Sequence, residues 1–565
     1  MEGVRFSYKD QAACALDGIN LELGEGEFVV VMGPSGAGKS TLCCTMNGLI
    51  PHFLRGKLEG RVTVLGKDTR QAKVSQLARD VGLVFQDFET QLFSTNVELE
   101  VAFGPENFGL PRKEIAARVR EALATVRLSG MERRQPMTLS GGQKQRLAIA
   151  SVLSLAPWVV CMDEPTTDLD PIGKHEVFDA AARLRAARDV TMVIVEHETE
   201  EALAADRLLV MQGGRISRQG SPREVLADAD ALEEAGIQPL HVVRLFRDLG
   251  EEQVPFTVDE ALDFMGVRGW RLDEQAYGRL LEGKGGPARD DPIIEVRGLH
   301  HRYPNGVTAL DGIDLTVREG EFLAVVGQNG SGKTTLVKHF NGLLLPTEGR
   351  VVVGGRDTAR AGVLELSRLV GYVFQNPDHQ IFADTVFDEV AFGPRNFGVW
   401  PQEVRQRVEE ALAAVGLAGR EGADPFTLTK GERQRVAVAS VLATRPRVII
   451  LDEPTTGLDY REQRGMMELI RKLNQDGHTI IVVTHTMWVV AEYAHRVVVM
   501  KDGRVMFAGP TREVFSHEEE LTRAFLRPPQ IVRLGNRLGH PLLTVAEARA
   551  CLVKGGDDGG RLPVP

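Results

Sequence analysis

Two Gly-rich segments, GPSGAGKST at residues 33–41 and GQNGSGKTT at residues 327–335, have the spacing of phosphate-cradling loops. Gly33, Gly36 and Gly38, like Gly327, Gly330 and Gly332, free the backbone to curl so that successive N–H groups point at one anion. Pro34, Ser35 and Ala37 fill the rest of the first loop, and Gln328, Asn329 and Ser331 the rest of the second. Lys39 and Lys333 bring a cation to the outer phosphates, Ser40 and Thr334 bring a hydroxyl to Mg2+, and Thr41 and Thr335 follow in the first helical turn. The ligand such a loop fits is ATP with Mg2+.

Downstream of each loop an apolar run ends in two acids, VVCMDE with Asp163 and Glu164 and VIILDE with Asp452 and Glu453. Two carboxylates at a strand end divide labour: Asp163 and Asp452 hold Mg2+, while Glu164 and Glu453 orient and polarise the attacking water. Each pair opens an identical DEPTT and precedes a histidine on the next apolar run, His197 in VIVEHE and His485 in IVVTHT. A side chain that donates or accepts near neutral pH suits contact with the γ-phosphate. Gln86 and Gln375, each after VF, are expected to touch both Mg2+ and the water. Tyr8 and Tyr303 either stack on adenine or pack into a core.

These groups need a scaffold that gathers strand ends. The runs VVVM, VVCM and VIV, with LAVV, VIIL and IIVV, are short, β-branched and separated by turns or helical-period segments, the pattern of parallel strands buried on both faces. The Ala-, Glu- and Arg-rich stretch 86–140 reads as a helical subdomain inserted into that sheet. The fold expected is α/β: two P-loop domains in tandem, each with a RecA-like parallel-sheet core, a helical insert and a small appendage. The whole pattern repeats. ALDGINLELGEGEFVVVMG at 15–33 matches ALDGIDLTVREGEFLAVVG at 309–327, and PLHVVRLFRDLG at 239–250 resembles PPQIVRLGNRLG at 528–539. The boundaries expected are a first cassette at 1–232, an appendage and linker at 233–292, a second cassette at 293–520 and a terminal appendage at 521–565. GKGGPARDDP, 283–292, is the linker proper.

At 565 residues and 43% apolar content the chain has full-sized cores, and no apolar run approaches the eighteen or so residues that cross a bilayer. A soluble, unexported chain is expected. Five cysteines without metal-ligand spacing read as reduced thiols, with Cys43 and Cys44 packed behind the first loop. The net charge of −11 with no Lys/Arg cluster argues against nucleic acid as a partner, so phosphate must be held by local amides, one Lys and Mg2+.

LSGGQKQR at 139–146 narrows the class. With it, the motifs resemble those of ABC-type ATPases over most of both halves. The resemblance implies that Ser140, Gly141, Gly142 and Gln143, at a helix start, complete the ATP site of the opposite cassette, so that an intramolecular pair closes head to tail around two nucleotides. A helix start presenting a hydroxyl and an amide suits a γ-phosphate. The second copy, LTKGERQR, keeps Thr429 and Gly431 but has Lys430 and Glu432 in place of Gly and Gln. The stretches QLF and QIF, each followed by EVAFGPxNFG, resemble the ATPases of energy-coupling factor importers. That likeness implies a micronutrient cargo and two partners, an integral membrane scaffold and a membrane substrate-binding subunit. It also implies a peripheral position on the cytoplasmic face of the membrane, with Gln91, Leu92 and Phe93, and Gln380, Ile381 and Phe382, at the scaffold. Competing readings are a twin-cassette ATPase acting on ribosomes or DNA and the fused ATPase of a sugar importer.

Overall fold

A computed structural model describes residues 1–9, 13–166, 174, 177, 181, 190–282 and 291–555. Thr167 of the first DEPTT, linker residues 283–290 and the tail 556–565 lie outside the described residues. The chain forms two compact units, 1–243 and 244–565, dividing inside the stretch read above as appendage and linker.

In the first unit the apolar runs form a six-stranded sheet ordered Arg215–Gly220, Arg207–Gln212, Phe28–Met32, Thr191–Val195, Val159–Asp163, Val81–Val84. Five strands are parallel and the edge strand Arg215–Gly220 is antiparallel. Phe28–Met32 and Thr191–Val195 are buried at every position, which is why they read as unbroken apolar runs rather than alternating ones. The second unit repeats this with Val370–Val373, Val448–Asp452, Thr479–Val483, Phe322–Gly327, Arg496–Lys501 and Arg504–Pro510, the last again antiparallel.

Register brings the chemistry together. Val31 and Asp163 both pair with Val195, and Val84 pairs with Met162, so the loops bearing Lys39, Glu164, His197 and Gln86 leave one edge of the sheet side by side. Ligands of open α/β sheets bind at the carboxyl ends of parallel strands for this reason.

Each unit also has an antiparallel sheet not anticipated from the apolar runs. In the first unit Glu2–Tyr8 lies between Leu16–Ile19 and Gly56–Arg61. In the second, Pro292–Arg302 lies between Thr308–Arg318 and Glu348–Val353. Glu2–Tyr8 alternates instead: Val4 and Phe6 are buried, Gly3 and Arg5 exposed and Ser7 half-buried.

The insert is helical as expected, with Val97–Asn107 capped by Asn96, whose side chain accepts the Leu99 N–H, and then Arg112–Thr125. The helix that follows, Gly141–Leu153, presses directly on strand Val81–Val84. A Cβ on Gly82 would sit 2.2 Å from Val152 Cγ1, and one on Gly371 would sit 2.2 Å from Val441 Cγ1 in the second unit. Glycine here removes the spacer between helix and strand, so the helix packs directly on the strand that leads to Gln86.

The second unit also contains the first appendage from residue 244 onward together with the terminal one. Trp270–Leu272 pairs antiparallel with Leu552–Lys554, and Gln530 donates to the Phe256 carbonyl at 3.1 Å. Buried Glu251 accepts from Trp270 Nε1 at 2.9 Å and Lys554 Nζ at 2.7 Å, joining the two segments by a charge-assisted bond. Residues 251–272 thus pack with residues 530–554 as one small body.

Candidate active sites

The first phosphate loop leaves strand Phe28–Met32 with Gly33 at φ 150°, Gly36 at 75° and Gly38 at 98°, the last capping helix Lys39–Met46. Two of these glycines are required by space as well as dihedral. A Cβ on Gly33 would lie 2.2 Å from the Met211 carbonyl oxygen, and one on Gly38 would lie 2.3 Å from that of Ala15. Lys39 donates to the carbonyls of Gly33 at 2.8 Å and Pro34 at 3.0 Å, and it lies 3.9 Å from Glu164 Oε1. Lys333 does the same with Gly327 and Gln328, at 2.8 and 3.0 Å. Both lysines are therefore drawn across the loop, where a triphosphate would lie.

Glu164 and Glu453 have φ of 49° and 50°, a left-handed conformation that costs a non-glycine residue about 1–2 kcal/mol. Each N–H is tied to the neighbouring strand, Glu164 to the Val195 carbonyl at 3.1 Å and Glu453 to that of Val483 at 2.9 Å. Those bonds hold the kink that turns the carboxylate towards the histidine. His197 Nε2 lies 2.9 Å from Glu164 Oε1, and His485 Nδ1 lies 3.0 Å from Glu453 Oε1.

The structure gathers Lys39, Ser40, Gln86, Asp163, Glu164 and His197 in one cluster, with Gln86 Nε2 donating to Glu164 Oε2 at 2.8 Å. In the second unit it gathers Lys333, Thr334, Asp452, Glu453 and His485, but among the described residues no hydrogen bond joins Gln375 to Glu453, and the buried Glu453 Oε2 atom has no partner there. Tyr8 hangs its hydroxyl on that of Thr41 at 3.0 Å with its ring edge-to-face on Phe6. Tyr303 does likewise with Thr335 at 3.1 Å and His301.

The surroundings of the acid expected to hold Mg2+ differ between the units. Burial pushes Asp163 up to about 6 from its ordinary 3.8, against the Ser40 hydrogen bond, and its buried Oδ1 atom has no partner. Burial also raises Asp452, but there Tyr372 donates at 2.7 Å and Thr334 at 2.9 Å to Oδ2. A buried carboxylate oxygen lacking a donor beside a Ser hydroxyl fits a hard cation. Burial alone would raise Glu453 too, yet His485 and Lys333 outweigh it and hold the carboxyl below its ordinary value, the ionised form that its expected role towards water requires.

The signature residues form a separate group. Ser140 accepts the Gln143 N–H at 3.4 Å and returns its own N–H to Gln143 Oε1 at 3.1 Å, closing a capping box at the start of Gly141–Leu153. Thr429 and Glu432 close the same box at Lys430–Leu442. A Cβ on Gly141 would meet nothing within 4 Å, so the fold admits Lys430 at the equivalent place, whereas one on Gly431 would meet Glu462 Oε1 at 2.6 Å. Among the described residues no hydrogen bond joins either tip to the phosphate loop of its own unit.

Two residues at the sites were not singled out from the sequence, Tyr372 and Glu196. Both occupy positions where the otherwise matched copies differ, Leu83 against Tyr372 and Glu196 against Thr484. Comparing the repeat residue by residue was the signal that would have found them.

Residues 16–167 and 310–456 each match the family model described as ABC transporter. This chain belongs to the ABC transporter family. A Caldanaerobacter subterraneus subsp. tengcongensis protein named as an ABC transporter ATP-binding protein is 55% identical over 98% of both chains. A second, from Methanosarcina acetivorans, is 42% identical over 98% of this chain and 93% of its own. A solved structure described as cbiO1 from Clostridium perfringens, part of the ABC transporter complex cbiONQ, is 39% identical over 43% of this chain and 98% of its own, with a TM-score of 0.39. As an ABC ATPase with two cassettes in tandem, the chain binds ATP with Mg2+ and hydrolyses it. No described helix is long and apolar enough to cross a membrane.

Proposed function

We propose that the chain is the energy-coupling ATPase of an energy-coupling factor type importer, working on the cytoplasmic face of the membrane with a scaffold subunit and a separate substrate-binding subunit. The cargo class is a micronutrient, namely a vitamin, a vitamin precursor, or a cobalt or nickel ion. The observation that carries this reading is an exposed aromatic pair repeated in both inserts. Phe93 stands edge-to-face on Phe103 with centroids 4.5 Å apart, and Phe382 on Phe392 at 4.8 Å. All four rings are exposed, at 63% and 45% in the first pair and 58% and 47% in the second, which is costly for a surface with no partner. Buried Glu100 accepts the N–H groups of Phe93 and Ser94, and buried Glu389 those of Phe382 and Ala383, so each pair is rigidly presented. The docking set expected from sequence changes accordingly. Ile381 is buried in the core and Gln380 binds Ala437 and Ser440, leaving Phe382 with Phe392 as the surface in that insert.

In this reading ATP binding draws the cassettes together. Moving such an equilibrium from mostly open to mostly closed takes about 5.5 kcal/mol of differential binding, which two triphosphates gripped only in the closed form supply. Glu164 and Glu453 polarise water for in-line attack on the γ-phosphorus as the bond to the β-phosphate oxygen breaks. His197 and His485 hold the γ-phosphate. Ser40 and Asp163, and Thr334 and Asp452, with Gln86 and Gln375 beside them, would hold Mg2+, which when bound screens the phosphate charge. The strap from Gln86 to Ser94 links this chemistry to the aromatic pair. Gln86 touches Glu164, and Glu89 pairs with Lys144 of the signature helix at 2.7 Å, as Asp378 does with Arg433 at 2.8 Å.

Mild-detergent purification of the tagged chain from native membranes tests the reading. The expected result is retention of small integral membrane proteins, lost when Phe93 and Phe382 are both changed to Ser. Recovery of ribosomal RNA or DNA with no membrane protein would contradict it.

A further inference from the structure

The first catalytic cluster contains a buried acid that the chemistry above does not use. Glu196 is 3% exposed and lies between Val195, the end of a core strand, and His197. Its Oε2 atom accepts the Thr166 hydroxyl at 2.6 Å, and its Oε1 atom accepts the N–H groups of His197 at 2.8 Å and Glu198 at 3.2 Å. Its own N–H donates to the Val31 carbonyl at 3.1 Å. Beside it Lys174 pairs with Glu198 at 2.5 Å. Burial alone would lower the lysine, yet Glu198 and Glu196 outweigh it and keep the ammonium charged. Thr166 follows Glu164 by two residues, so one carboxylate spans the loop that carries the candidate water-polarising acid and the turn that carries the candidate histidine.

The second unit is an internal control. Thr484 stands where Glu196 does, and its hydroxyl accepts only within its own turn, from Thr486 N–H at 3.0 Å. Thr455, the counterpart of Thr166, has a buried hydroxyl with no partner among the described residues. Without the bridge the imidazole meets its carboxylate through Nδ1 instead of Nε2, so the ring nitrogen left for phosphate differs between the two centres.

We infer that Glu196 is a positioning residue of the first hydrolytic centre, bridging the Glu164 loop to the His197 turn through Thr166 and thereby setting which edge of the imidazole faces the nucleotide. The inference rests on the assignment of Glu164 and His197 to hydrolysis. A group held by four hydrogen bonds is preorganised, and misplacing a reacting group by about 1 Å costs on the order of 10²-fold in rate.

The test uses the full chain carrying Glu453→Gln, with the rate of the Glu164→Gln, Glu453→Gln double variant subtracted, so that the remaining turnover of radiolabelled ATP reports the first centre. Glu196→Thr, which installs the second unit's residue, is expected to lower kcat about 10- to 100-fold with KM for ATP within about twofold. Glu196→Gln, whose amide oxygen still accepts both N–H groups, is expected to recover most of the rate. Thr166→Val removes one tie without touching the acid and should fall between them, which guards against a misfolded Glu196→Thr protein. If Glu196→Thr changes kcat less than twofold while His197→Ala abolishes turnover, the positioning role is wrong and the site assignment stands. If His197→Ala also leaves the rate unchanged, the site assignment itself fails. A rise in KM matching the loss in kcat, with no recovery in Glu196→Gln, would mean general damage and would equally overturn the inference.

Discussion

Glu453→Gln is expected to lower steady-state ATPase turnover of the full chain about 10²-fold, whereas Glu164→Gln leaves most of it. The two carboxylates are placed alike by a left-handed residue at a strand end, so the difference must come from what surrounds them. Glu453 keeps its Oε2 atom buried and unclaimed, ready for a water, while Glu164 Oε2 is already bonded by Gln86. The helix tips differ as well. If cassettes pair head to tail, the first loop meets the Thr429 tip and the second meets the Ser140 tip. Glu432 closes its capping box as Gln143 does, but it adds a carboxylate where a γ-phosphate approaches, only partly offset by Arg420 at 3.5 Å. Lys430 does not neutralise it, because its ammonium lies over Gly457, where an added Cβ would be 2.1 Å away. A milder loss from Glu453→Gln than from Glu164→Gln would show that these differences do not govern turnover.

The second large effect separates two glycines of one loop. Gly327→Ala is expected to weaken ATP binding by the second cassette more than 10²-fold, and Gly330→Ala by no more than about 30-fold. At Gly327 the new Cβ would lie 2.2 Å from the Met500 carbonyl oxygen and 2.8 Å from Ser331 Oγ. Backbone cannot give way there without shifting strand Arg496–Lys501, which pairs with Phe322–Gly327. At Gly330 a Cβ would meet nothing within 4 Å, so the cost is only the strain of φ 80°, about 1–2 kcal/mol. Titration with a fluorescent ATP analogue in a Lys39→Ala background reads the second cassette alone. Equal losses would mean that loop flexibility, rather than the space between loop and strand, sets affinity.

What was legible in the sequence follows from how local its cause is. The phosphate loops were readable because dihedral demands force glycine at fixed spacing, and the DE pairs because β-branched runs announce buried parallel strands that must end somewhere. The antiparallel sheet around Glu2–Tyr8 was not, since in that strand only Val4 and Phe6 are buried and one of its two partners, Gly56–Arg61, lies far along the chain. The appendages were visible as a repeat, but their pairing through Trp270 and Lys554 depends on residues nearly three hundred positions apart. Glu196 and Tyr372 were hidden inside matched strings, where a conserved pattern draws attention away from the one position that differs. Gln375 shows the converse: the same motif as Gln86, without the same bond.

We propose, from the resemblance to ABC-type ATPases, that each nucleotide is gripped by one cassette's loop and the other cassette's helix tip. It is tested most directly by placing cysteines at Ser35, in the first loop, and Thr429, at the second tip, in a Cys14→Ser chain that also carries Glu164→Gln and Glu453→Gln to arrest hydrolysis. The account predicts a disulfide within one chain that forms rapidly with ATP and Mg2+ and not with ADP. Formation that is equally slow with either nucleotide would contradict it.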